Sequence, residues 1–396
     1  MRILLVGPLN SDYGSKNLGG VSQHVTALYK NLSAVEDVDV VSTGKYNGKS
    51  FVEGESKIYG VDFSIKAFFK TLGGFPKILK TSRNLSLSKK GIAVLCYYYY
   101  RLASVQMEKY DRVHVHGMQG NLPLALVLNP PKSTKKILTV HSYHGILDQP
   151  NAREVLSEKY QFVFNGFDRV IHVSDTDYLK GVEMGFSYPL DTDFKSIHNG
   201  LDVDQYYLPL EGRGNELLFV GTLNERKRIE IVLESKRHVY QYALNVCGDG
   251  PLRGKVLEVT QTSDDVKYHG FLSGAAKEEV VKKSSCLIVP STSESFGLVY
   301  IEALLSGLAV IGFGPVIREF IDTMSLTKEE ERLLQPFEPD VSSSEKLSRL
   351  ILEVNDYRNS KEGMIAMKSL QEKTKKAFGW PEIVKKVQTL YSNMRP

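Results

Sequence analysis

Two carboxylates bracket a short glycine turn in Glu294-Ser-Phe-Gly-Leu-Val-Tyr-Ile-Glu302. The string follows the apolar run CLIVPS (286–291) and leads into ALLSGLAVIG. Strand, turn and helix-forming residues in that order put Gly297 at a helix start, where a missing side chain lets another backbone or a ligand come close. The unpaired amides of a helix N-terminus bind phosphate. Carboxylates beside that point accept hydrogen bonds from sugar and ribose hydroxyls. Either glutamate alone reads as an ordinary buried or capping residue. The two together, around Phe296, Gly297 and Leu298, point to a ligand that carries both phosphate and a hydroxyl-rich sugar.

Such a turn needs a scaffold of buried strands. Ile3–Val6 is a β-branched and leucine run that ends in Gly7-Pro8, and Val21, Val25, Leu28 and Leu32 then recur at helical spacing. A strand, a glycine loop and a helix open a doubly wound α/β domain. VDVVS (38–42), DRVHVHG (111–117), KKILTVHS (135–142) and DRVIHVS (168–174) repeat the strand signal, with a helix expected over 151–167. The same layout restarts near Asn215: LLFVG (217–221), a helix through Ile229, Val232 and Leu233, then ALNVCGDG (243–250), VKYHGF (266–271) and CLIVPS. Residues 202–214, rich in proline and glycine, read as a linker. After Trp380, Ile383, Val384, Val387, Leu390 and Tyr391 share one helical face. Ligands of open parallel sheets bind beyond the carboxyl ends of the strands, so two such sheets imply a cleft with the informative residues in post-strand loops.

Composition narrows the class. An apolar fraction of 42% and a charged fraction of 24% belong to a globular chain, and a net charge of +4 is too small to argue for nucleic acid. Cys96, Cys247 and Cys286 are scattered and odd in number, which fits a reducing compartment rather than a disulfide or zinc framework. The apolar run in MRILLVGPLN is too short for a signal-peptide core or a span. A cytoplasmic location is expected, with room for attachment to a membrane surface.

PSTSESFGLVYIEALLSGLAVIG resembles the signature of the family 4 glycosyltransferases (glycosyl transferases group 1), which have the GT-B fold. That fold pairs two Rossmann-like domains across a cleft and ends in a helix that crosses back to the first. The resemblance divides the chain into an acceptor-side domain at 1–204, a nucleotide-sugar domain at 205–376 and a crossing helix at 377–396. It implies that Glu294 binds the donor sugar, that Glu302 holds the ribose, and that the amides around Phe296, Gly297 and Leu298 lie near sugar and diphosphate. Gly19 and Gly20 in GGVSQHV resemble the family's phosphate-facing glycine loop. In Gly221-Thr-Leu-Asn-Glu-Arg226-Lys227 the lysine matches a diphosphate ligand, while Thr222 stands where the family usually has arginine; Arg226 is the candidate to replace its charge. Arg228 reads as a solvated turn residue. His141 matches the family's contact to the 6-hydroxyl region of the sugar, His144 less clearly so. His114 and His116 read as packing or as lining the cleft wall. Asn199-Gly200 resembles a structural turn, Gly248 and Gly250 a GxGP loop near the nucleotide, Gly270 a strand end near the base, and Phe378-Gly-Trp380 the aromatic start of the last helix.

The resemblance implies a retaining, metal-independent hexosyl transfer, with the leaving phosphate taking the acceptor's proton. No cofactor beyond the nucleotide-sugar donor is implied, with UDP favoured over GDP. The DxD pairs Asp191/Asp193 and Asp202/Asp204 lie in a connecting segment and a turn and carry no metal reading. One stretch speaks to the acceptor. Residues 65–107 hold no acid, but contain Lys66, Lys70, Lys77, Lys80, Arg83, Lys89, Lys90 and Arg101 among Phe68, Phe69, Phe75, Ile78, Leu79 and Tyr97–Tyr100. Basic and aromatic residues mixed on helices are what anionic lipid surfaces attract. A lipid-linked or envelope-polymer acceptor is therefore expected; a solvated basic face over core aromatics, or a groove for a phosphate-bearing polymer, would share the composition. The alternatives to a transferase are a nucleotide-sugar 2-epimerase, against which the ESFGLVYIE string and the GGVSQHV loop speak, and a degenerate sugar-binding partner, to which Thr222 gives slight room but against which intact Glu294, Glu302 and Lys227 speak. An oxidoreductase is disfavoured by the lack of a clean GxGxxG loop.

Overall fold

The computed structural model describes residues 1–16, 19–44, 48–118, 121–143, 146, 153–189, 194–212, 214–338, 340 and 343–394. His144, Asp191 and Asp193 lie outside them. Met1–Gly200 with Ile383–Pro396 form one compact unit, and Leu201–Glu382 form another.

The N-terminal unit is built on one seven-stranded sheet. Its strands are β1 (Arg2–Gly7), β2 (Asp37–Ser42), β3 (Phe51–Glu53), β4 (Ser56–Tyr59), β5 (Arg112–His116), β6 (Lys135–Val140) and β7 (Arg169–His172). They are ordered β3-β4-β2-β1-β5-β6-β7. All neighbours are parallel except the edge pair β3–β4. Ile3, Leu4, Leu5 and Val6 are completely buried, as a parallel strand covered on both faces requires. Helix α1 (Gly20–Leu32) follows β1 and packs through Val25, Leu28, Tyr29 and Leu32.

Helices α2 (Ile65–Asn84) and α3 (Lys89–Ala103) come next, each capped by a serine, Ser64 and Ser88. They behave differently. Helix α3 buries Leu95, Tyr98, Tyr99, Arg101 and Leu102, whereas α2 buries only Ala67, Ile78, Thr81 and Ser82 of its 20 residues. This corrects the uniform reading of 65–107. Ile78 and the Tyr98-Tyr99 pair are core, and the Arg101 guanidinium donates to the Ser42 and Tyr59 carbonyls at 2.9 and 3.2 Å. Those residues are closed to any external surface.

The C-terminal unit has six parallel strands: β8 (Glu216–Val220), β9 (Leu244–Cys247), β10 (Val266–Gly270), β11 (Ser284–Val289), β12 (Ala309–Phe313) and β13 (Leu334–Phe337). Their order is β10-β9-β8-β11-β12-β13. Residues 202–212 pack on this unit: Ser306 Oγ donates to the Tyr206 carbonyl at 3.0 Å and Gln371 Nε2 to that of Leu208 at 2.9 Å.

The fold is thus two parallel-sheet, Rossmann-like units of the GT-B kind, and the last helix (Trp380–Asn393) returns to the first of them. Its face of Ile383, Val384, Val387, Leu390 and Tyr391 is buried. Arg112 of β5 donates to the Tyr391 carbonyl at 2.8 Å, and Gln388 to Glu36 at 2.7 Å. Among the described residues no helix is long and apolar enough to cross a membrane.

Candidate functional site

In the C-terminal unit the post-strand loops of β8, β9 and β11 meet. Tyr300 fixes the last of them. Its hydroxyl donates to the Val289 carbonyl at 2.9 Å and accepts from the Phe313 amide at 3.0 Å, tying helix Leu298–Leu305 to the ends of β11 and β12. Gly297 precedes that helix at φ +75°, and a Cβ there would lie 2.5 Å from the Tyr300 ring. Gly297→Ala should therefore cost about 1–3 kcal/mol from the left-handed backbone alone, read as a lower urea midpoint, and should weaken donor binding as well. Phe296 is buried against Phe320 and Phe378, with ring centroids 5.5 and 5.9 Å away, so only its backbone can serve a ligand.

The loop after β8 is shaped by Asn224, whose side chain accepts from the Lys227 amide at 3.0 Å, and by the Arg226 carbonyl, which accepts from the Thr292 amide at 2.9 Å. These bonds aim two cations at one carboxylate. Lys227 Nζ lies 2.5 Å from Glu294 Oε1 and Arg226 Nη1 3.6 Å from Oε2, while Arg226 also donates to the Ser293 carbonyl at 2.8 Å. Glu294 is only 8% exposed. Burial by itself would raise its pKa, but the Lys227 ammonium and the Arg226 guanidinium outweigh that and hold it below the usual carboxylate value. Arg226 thus sits beside Lys227 on the same carboxylate, whereas Thr222 is exposed.

Gly248 and Gly250 press against the β8 loop. A Cβ on Gly248 would fall 1.9 Å from the Gly221 carbonyl oxygen, so no other residue fits there. Gly221 in turn borders the Lys227 side chain. Glu302, one turn into its helix, pairs with Lys277 at 2.6 Å. No motif in the sequence singles out Lys277. Asp204 is paired with Lys375 at 3.1 Å.

In the N-terminal unit, Gly19 caps α1, its carbonyl accepting from the Ser22 amide and hydroxyl at 3.0 and 2.7 Å. Gly20 begins the helix, and both glycines leave open space where a side chain would stand. His141, just past β6, is grouped with His116 and His24: His116 Nδ1 and His141 Nε2 are 3.3 Å apart, and the His24 and His141 ring centroids 5.0 Å. Burial, then mutual repulsion, keeps His116 and His141 neutral well below the ordinary histidine range, and burial lowers His24 to about 4. His114 is a packing residue, bonded to Tyr391 Oη and Thr139 Oγ1 at 2.7 Å each. A cavity of about 400 Å³ in this unit, lined by Tyr13, Tyr29 and Glu53 among others, contains none of the candidate residues.

Two family profiles match the chain: Glycosyltransferase Family 4 over residues 18–205, and Glycosyl transferases group 1 over residues 214–351. Together they span well over half of it. The chain belongs to the family 4 glycosyltransferases.

Relatives of this transferase include an uncharacterized glycosyltransferase of Methanocaldococcus jannaschii, 22% identical with 95% of each chain covered. A component of the phosphatidylinositol N-acetylglucosaminyltransferase of Arabidopsis thaliana is 23% identical, covering 99% of this chain and 81% of that one. Among solved structures, sucrose-phosphate synthase from Thermosynechococcus elongatus superposes with a TM-score of 0.69 at 17% identity, covering 100% and 99% of the two chains. Anabaena HepE in complex with UDP-glucose gives 0.62 at 15% identity, with both chains fully covered. At these identities the structures establish the fold of the transferase. The carboxylate and cation geometry above is its own.

Proposed function

We propose that this enzyme is a retaining, metal-independent hexosyltransferase that takes its sugar from a nucleoside diphosphate donor, UDP favoured over GDP. The observation that carries this reading is the buried Glu294 held by Lys227 and Arg226 beside the helix that bears Glu302. The donor sugar would hydrogen-bond to Glu294, the diphosphate would draw on Lys227 and Arg226, and Glu302 would hold the ribose. Charge developing on a leaving diphosphate is stabilised by fixed cations in a partly desolvated site. A carboxylate paired with two cations and held below its ordinary pKa is a poor base and a poor nucleophile, so the leaving phosphate oxygen takes the acceptor's proton and Glu294 positions the sugar. Gly19, Gly20, Gly248, Gly250 and the amides of Phe296–Leu298 would face donor phosphate or nucleotide, and His141 the sugar. The UDP-glucose complex of the Anabaena neighbour supports the choice of base.

The acceptor is lipid-linked or a cell-envelope glycan, presented at an anionic membrane face where the enzyme is peripherally attached on the cytoplasmic side. Support comes from the exposed basic and aromatic surface of α2 and from the phosphatidylinositol-directed Arabidopsis relative.

Thermal or urea unfolding with a panel of nucleotide sugars tests the donor assignment. One donor at a hundred times its dissociation constant should add about 2.7 kcal/mol to the wild type, and Glu302→Ala should lose that gain while still folding. Stabilisation by no donor at all would sink the reading in favour of a degenerate sugar-binding partner.

A further inference from the structure

Three imidazoles converge where β5, β6 and α1 meet. His116 is the last residue of β5, His141 follows β6 and His24 lies in the first turns of α1. One nitrogen can be taken from each so that all three lie within 4.8 Å of one another. His116 Nδ1 and His141 Nε2 are already 3.3 Å apart. Two nitrogens bound tetrahedrally to zinc at about 2.0–2.1 Å stand about 3.3 Å from each other. That pair, joined here by a hydrogen bond, therefore also has the spacing of a ligated pair, and His24 must close in to complete it.

One neighbour bears on how the pair is held. His114, whose ring centroid is 4.2 Å from that of His116, is excluded as a ligand because both its nitrogens are engaged, and it braces the His116 ring. Metal-binding histidines are oriented by such surroundings. Neutral imidazoles without a carboxylate suit zinc, cobalt, nickel or copper rather than magnesium or calcium.

We propose that His24, His116 and His141 form a three-histidine site for a divalent transition-metal ion of the zinc class, with its fourth position open to water. The site plays no part in the transfer reaction. It meets the donor reading only at His141, so metal and donor sugar should exclude each other.

Cobalt titration of the tag-free, full-length protein tests the site without reference to activity. One cobalt per chain should bind and give the strong visible absorption of tetrahedral coordination, which zinc abolishes. His24→Ala and His116→Ala should each weaken binding at least tenfold, while exposed His238→Ala leaves it unchanged. His24→Gln gives a second, milder variant, and metal-free melts of each establish that it folds. Absence of the absorption band, or stoichiometric binding that survives in folded His24 and His116 variants, would overturn the proposal. If zinc binds at the trio but leaves the donor's apparent KM unchanged, the site stands and the placement of His141 against the sugar falls.

Discussion

Lys227→Ala is expected to lower kcat/KM for transfer by at least about 10²–10³-fold, the usual cost of removing one preorganised charge donor from a developing anion. The geometry adds a second penalty. Lys227 and Glu294 have side chains only 12% and 10% exposed, so the ammonium is what makes a buried carboxylate tolerable. Deleting one partner of a buried pair costs about 3–5 kcal/mol, here reduced by Arg226, which stays 3.6 Å from the carboxylate. The pH dependence changes sign with the mutation. In the wild type the folded pKa of Glu294 is depressed, so its contribution to stability is present above the unfolded value of about 4.3 and is lost as pH falls through the folded value. Without Lys227, burial dominates and the folded pKa rises. The residual contribution is then present at low pH and lost as pH climbs through that raised value. Urea unfolding across the acid range separates the two profiles. Lys227→Met combined with Glu294→Gln should recover much of the stability, since no buried charge is orphaned, and none of the transfer. A Lys227→Ala enzyme that transfers at the wild-type rate would remove this lysine from the diphosphate site.

The strands that carry these loops were legible because parallel strands buried on both faces read as continuous apolar runs, and the residues after them inherit their position. Ile3–Val6, 111–117 and 286–291 each lead to an observed strand. Of the four strands that were not legible, Phe51–Glu53 and Leu334–Phe337 lie at sheet edges, and Ser56–Tyr59 and Ala309–Phe313 lie next to them. Phe51–Glu53 is exposed along its whole length, and Leu334–Phe337 contains Pro336, which an edge tolerates and an interior strand does not. Within the site, the ESFG string announced itself through two acids around a glycine. Lys277 did not: it sits in KEEVVKK on the helix Gly274–Lys283, and its pairing with Glu302 arises only when β11 brings two helices side by side. The histidine trio was hidden for the same reason, since its members come from three separate elements. Composition identified residues 65–107 as basic and aromatic, but periodicity could not say which way each helix turns its apolar face. An amphipathic stripe on α3 serves the core, and one on α2 does not.

That outward stripe sets the second large effect. Ile65, Phe68, Phe69, Leu72 and Phe75 recur at spacings that gather them on one side of α2, away from buried Ala67 and Ile78, and they are 63%, 48%, 65%, 52% and 42% exposed. Phe63, 80% exposed, extends the patch. A soluble domain ordinarily turns such a stripe inward, and a contiguous exposed one marks an interaction surface. Lys66, Lys70, Lys77, Lys80 and Arg83 are exposed on the same helix, with no acid among them. The pairing of apolar face and unopposed positive charge fits a helix lying in the headgroup layer of an anionic bilayer. Each basic residue contributes about 1 kcal/mol there, so replacing Lys66, Lys70, Lys80 and Arg83 with glutamine should weaken binding to phosphatidylglycerol vesicles by about 10³-fold. Phe68→Ser with Phe69→Ser should also weaken it, with the opposite salt signature. The charge variants lose the part of binding that rising ionic strength screens, whereas the serine variants leave that part and lose the rest. Neither set touches the core, so melting temperature and donor stabilisation should hold while transfer to a membrane-presented acceptor falls. Tyr99→Ser, by contrast, should lower stability, because that ring is buried against the unit's core. Vesicle cosedimentation unchanged in all these variants would show that α2 faces some other partner, and the acceptor would then have to be sought away from the membrane.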